Sequence, residues 1–90
     1  MPTKATIKFE IVDKVGDTPY SAWCIGLTHD VSCRKRQWKD IGKGLSCWKH
    51  WTADSLSNAL DVEAHFIDKG MKGGNGETLF PQKTVYVYIF

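Results

Sequence analysis

Apolar and polar residues alternate from Ala5 to Val12, with Ile7, Phe9 and Ile11 on one side and Thr6, Lys8 and Glu10 on the other. That period of two predicts a half-buried strand. Gly16, Asp17 and Pro19 then mark a chain reversal. From Tyr20 to Leu27 both parities are apolar, which predicts a second strand inside the sheet, antiparallel to the first. After Asp30, a residue suited to an N-cap, the rhythm changes: Val31, Arg34, Trp38 and Ile41 follow at helical spacing and share one face. Gly42 and Gly44 break that helix, and Leu45 to Thr52 reads as an aromatic-rich third strand.

Asp54 or Ser55 caps a second helix that runs to about Lys69 and is closed by Gly70. Its apolar stripe is Leu56, Ala59, Leu60, Phe66 and Ile67, and Glu63 falls inside it. Residues 70–76 hold four glycines and read as a connector. Thr84 to Phe90 is apolar on both faces, so this last strand either enters the sheet interior or pairs with another molecule, as in a homodimer. The pattern therefore predicts one α+β domain over 1–90, with a small mixed β-sheet, two helices and the order β-β-α-β-α-β. Its core would span about 5–70.

Composition removes several alternatives. Hydrophobic residues at 42% against 24% charged ones exclude a disordered chain. Three cysteines, Cys24, Cys33 and Cys47, lack the even count of a disulfide framework. No apolar run has the form of a signal peptide or a membrane span, so a cytoplasmic protein with free thiols and no membrane partner is expected. Cys47 and His50 have a zinc-like spacing, but a strand would point them to opposite faces.

The net charge of +2 is small, yet its distribution is uneven. Arg34, Lys35, Arg36, Lys39, Lys43 and Lys49 face a single acid, Asp40, within one stretch that also holds Trp38 and Trp48. Such a stretch is either a solvated helix face with two core tryptophans or a surface that meets phosphates and stacks on bases, in DNA or RNA. Arg34 and Glu63 pose a second choice, because each is a charge on the inward stripe of its own helix. They are either an internal ion pair, or a site where the glutamate holds a divalent metal and the arginine stabilises charge on a transferring phosphoryl group.

Cys24-Ile25-Gly26-Leu27-Thr28 followed by Arg34 resembles the second signature strand and catalytic arginine of the GIY-YIG nuclease domain. The stretch from Leu45 to Ile67 is similar to that family's third strand and glutamate helix. The resemblance implies a Mg2+- or Mn2+-dependent endonuclease in which Arg34 and Glu63 are catalytic, Glu63 is the metal ligand, and Lys35, Arg36, Trp38 and Lys39 contact nucleic acid. The family's motif tyrosine is replaced by Cys24, and its histidine one turn after the arginine by Trp38. Tyr20, or Tyr86 and Tyr88 of the last strand, would have to supply a phenol from a new position. The alternative is a catalytically inactive scaffold or protein-interaction domain in which Arg34 and Glu63 form a structural pair.

Overall fold

The computed structural model describes residues 3–42, 44–73, 79–80 and 82–90. Among them the elements follow in the order α1 (Lys4–Val15), β1 (Ile25–Thr28), α2 (Val31–Asp40), β2 (Lys49–Thr52), α3 (Leu56–Asp68) and β3 (Tyr86–Ile89). A 3-10 turn at Tyr20–Ala22 precedes β1. The fold is α+β, but it differs from the expected order at its first element.

The segment that alternates with period two is a helix. Ile7 and Ile11 lie four residues apart, a spacing that strand and helix both place on one face, and Val15 extends it by another four. All three are buried, whereas Phe9 is 73% exposed. The Thr3 hydroxyl caps the helix by accepting from the Thr6 N–H, at 3.2 Å. Gly16 ends it at φ 56°, in the left-handed region that suits glycine, with its N–H on the Val12 carbonyl. The expected pairing of this segment with the strand at Cys24 therefore does not exist, and the domain has three helices among its described residues.

β3 is the centre of the sheet, in the order β1-β3-β2. Both of its neighbours are antiparallel, with Gly26 and His50 on either side of Tyr88 and Leu27 and Trp51 on either side of Val87. The named strands form an antiparallel sheet where a mixed one was expected; among the described residues, parallel pairing is confined to the bridge between Cys24 and Lys72. The interior position expected for the terminal strand holds. Because both edges of β3 are occupied within the chain, the homodimer expected through that strand has no edge left to use.

The two faces of the sheet are covered differently. On one, Ile25, Leu27, Trp51, Val87 and Ile89 join Ile7, Ile11 and Val15 of α1 and Ala59, Val62 and Phe66 of α3 in a single apolar core. The stripe of α3 centres on Val62, so Leu60 and Ile67 are exposed at 46% and 41%. Ser55 is the N-cap, and Gly70 follows the helix at φ 117°, both where expected. Lys4 and Lys8 of α1 reach Asp61 of α3 at 3.4 and 3.1 Å, clamping the two helices at their solvent side. After α3, Met71 is buried and the Lys72 backbone pairs with Trp23 and Ile25, covering the start of the β1 edge. Of the glycine-rich connector, 74–76 lie outside the described residues, as does Lys43 of the basic stretch. No helix among the described residues is long and apolar enough to cross a membrane.

Equilibrium urea unfolding separates the two readings of the first element. Ile11→Ala should cost about 2–5 kcal/mol, as a buried isoleucine does. Phe9→Ala, which a strand would have made equally costly, should stay within about 0.5 kcal/mol.

Candidate nucleic-acid interface

α2 is launched directly from β1 by a short polar turn. The Asp30 N–H donates to the Thr28 hydroxyl at 3.1 Å, and the Asp30 carboxylate accepts from the Cys33 N–H at 2.9 Å, capping the helix. Between them, the His29 Nε2 accepts from the Phe80 N–H, so its Nδ1 carries the proton and donates to the Thr84 carbonyl, both at 2.8 Å. The first turn of α2 is thus fixed to β1 and to the segment that leads into β3.

From this start Arg34 and Trp38 face the sheet, on the side opposite the apolar core. Arg34 Nε and Trp38 Nε1 both donate to the Tyr88 hydroxyl, at 3.1 and 3.0 Å. The guanidinium also reaches Gln37 Oε1 at 2.9 Å and lies 5.2 Å from the Trp38 ring centroid. Tyr88 itself is fully buried. The acceptor demanded by an inward arginine is therefore a phenol 54 residues away in sequence.

Glu63 does not meet Arg34. It sits on α3, which packs on the other face of the sheet through Ala59, Val62 and Phe66. Among the described residues Glu63 has no ion-pair or hydrogen-bond partner, and burial alone pushes its pKa above the usual carboxylate value. The structural ion pair expected between Arg34 and Glu63 is thus absent, because the two helices approach the sheet from opposite sides. Tyr20 is not beside Arg34 either: its ring packs on Phe66, 6.0 Å between centroids, against the apolar core. Among the described residues, no three of His, Cys, Asp and Glu gather in a group suited to a metal ion.

The tryptophans of the basic stretch are interior to this second layer. Trp48 stacks on Tyr88 at 4.7 Å and 8°, and on Phe90 at 5.6 Å and 18°. Trp38 tilts against Phe90 at 5.0 Å. Leu45 to Cys47, expected as the start of a strand, instead form a turn that brings Trp48 down onto the sheet; β2 begins only at Lys49. The Trp48 indole N–H donates to His50 Nδ1 at 3.0 Å, which occupies one of the nitrogens that a zinc site with Cys47 would need. Partial burial first, and then the nearby Lys35 charge, lower the His50 pKa, which favours the neutral imidazole that accepts this bond.

What α2 offers to solvent is charge. Lys35, Arg36 and Lys39 are exposed and line an open cleft of about 650 Å3 together with Ser32, Leu45 and Ser46. None of the three cations has an ion-pair partner among the described residues; Lys35 alone is steadied, 5.6 Å from the Trp48 ring centroid. Of the residues expected to contact nucleic acid, the structure gathers these three at one surface and assigns Trp38 to packing beneath it.

No protein-family model matches this chain, and no curated protein or solved structure is detectably similar to it. The arrangement must be read from its own chemistry.

Two measurements test it. Tyr88→Phe removes the shared acceptor of a guanidinium and an indole, and should lower stability by about 1–3 kcal/mol in urea unfolding. For Glu63, the folded state holds the proton more tightly than the unfolded chain, so stability falls as pH rises from the usual carboxylate range through the raised value. Glu63→Gln should therefore melt at a higher temperature than the native protein at neutral pH, with the gap closing in acid.

Proposed function

We propose that this domain binds nucleic acid, with Lys35, Arg36 and Lys39 of α2 contacting the phosphates. The observation that carries the reading is the exposed cationic cleft, whose three charges have no ion-pair partner among the described residues. Cations in an ordinary solvated helix face are commonly offset by carboxylates at helical spacing. Here the acid on the same helix, Asp40, pairs with none of them within the described residues. A phosphate chain supplies the missing negative charge, and entropy from released counterions drives its binding. The likeness of Cys24 to Arg34 to the GIY-YIG motif points to the same class of ligand.

Arg34 has a positioning part in this reading. Its bond to Tyr88 holds α2 against the sheet, while Gln37 of the same helix steadies the guanidinium, so that the three lysine and arginine heads project on one side. The Mg2+- or Mn2+-dependent cleavage that the resemblance implies would bring Glu63 and Arg34 to one phosphate, and no contact between them supports it. Binding without cleavage is accordingly the function put forward.

Fluorescence anisotropy with a labelled single-stranded oligonucleotide tests the reading. The native domain should bind at low salt, with affinity falling linearly on a log–log plot against salt concentration. Replacing Lys35, Arg36 and Lys39 by alanine should weaken binding and flatten that slope by about 0.7 for each phosphate that is no longer neutralised. No binding at low salt, or an unchanged slope in the triple variant, would show the proposal to be wrong.

A further inference from the structure

Beside the cationic cleft lies a second cavity, of about 280 Å3, and Ser46 lines both. The second cavity sits where β1 begins and β3 ends. Its walls include the rings of Trp23 and Phe90 and the small side chains of Ala22, Ser46 and Cys47. Thr18 also lines it, but its hydroxyl already donates to the Val15 carbonyl and accepts from the Trp23 indole. The polar groups still without a partner among the described residues are the Ser46 hydroxyl and the Cys47 thiol, which lie side by side in the turn before Trp48.

The two cavities differ in character. One presents three cations, and the other presents aromatic rings and small side chains with two hydrogen-bonding groups. A ligand that fills both must carry negative charge and a flat ring close together. A nucleotide unit has this form, provided its base has left the stack. In a duplex the bases are held inside the helix, so a base reaches such a pocket only from a single strand or after extrusion.

On the reading that the cleft takes phosphates, we infer that the adjoining cavity receives one unstacked base of a single-stranded nucleic acid, held against Trp23 and Phe90 with Ser46 and Cys47 at its edge. The contact selects single strands over duplexes. It carries little sequence preference, because every base offers an aromatic face and the pocket offers few hydrogen-bonding groups.

The test compares two labelled probes with the same number of phosphates: an oligodeoxythymidylate of about ten nucleotides, within the span of one small binding fold, and its abasic counterpart. The native protein should bind the intact strand about tenfold or more tightly than the abasic one. Ala22→Trp, which fills the cavity from an exposed position outside the cationic cleft, should erase that difference and leave affinity for the abasic strand unchanged. Equal affinity of the native protein for both probes would overturn the base pocket while leaving the phosphate cleft standing. A persistent preference for the intact strand in Ala22→Trp would overturn it as well. If neither probe binds at low salt, the cleft itself fails and the pocket with it. The comparison on the native protein requires no variant to fold.

Discussion

One phenol oxygen holds the second layer of this fold together. The Tyr88 hydroxyl lies at the centre of the sheet and accepts from both Arg34 and Trp38, one turn apart on α2. Each donor alone would leave a polar group stranded over an apolar surface, at a cost of about 1–3 kcal/mol or more for the charged one. Sharing one acceptor satisfies both and fixes the helix in rotation as well as position. The stack of Trp48 on the same ring then seals the phenol from water and strengthens the bonds it accepts. The exposed cations of α2 point where they do because the half-buried Arg34 is pinned.

This arrangement explains a charge distribution that looked contradictory in the sequence. Arg34, Lys35 and Arg36 are consecutive, so a helix must turn at least one of them inward or sideways. The fold sends the guanidinium inward, where its planar fork meets Tyr88 and Gln37 at once and its flat face lies near the Trp38 ring. Lys35 and Arg36 are left outside with Lys39.

What the sequence revealed tracks how local the determining interaction is. α2 and α3 were legible because Asp30, Ser55 and Gly70 are caps that act within one turn of the residues they satisfy. The central place of β3 was legible because a strand apolar on both faces has nowhere else to go. The pattern of α1 is ambiguous because its two most buried residues are four apart, and only the exposure of Phe9 separates the two periods. The partner of Arg34 was out of reach for another reason. Glu63 is a charge on the inward margin of a helix and stands out in the pattern, whereas Tyr88 reads as an apolar ring in an apolar strand. Alternating Tyr86, Tyr88 and Phe90 did carry a signal, since a buried tyrosine brings a hydroxyl that must be satisfied. Which donor would satisfy it depends on packing across the sheet, and no local pattern encodes that.

The placement of β3 also governs how the chain can reach its native state. Among the described residues β1 and β2 flank β3, and each is laddered to β3 rather than to the other. Ile25 meets Ile89 and Lys49 meets the same residue, so both ladders close over long stretches of chain. The helices can form locally at an early stage, but no strand pairing in the sheet is available until residues 86–89 arrive. On a ribosome, everything before that point emerges as helices and unpaired strands with the apolar core still open. The sheet is completed in one late closure, the non-local kind of contact that slows folding most.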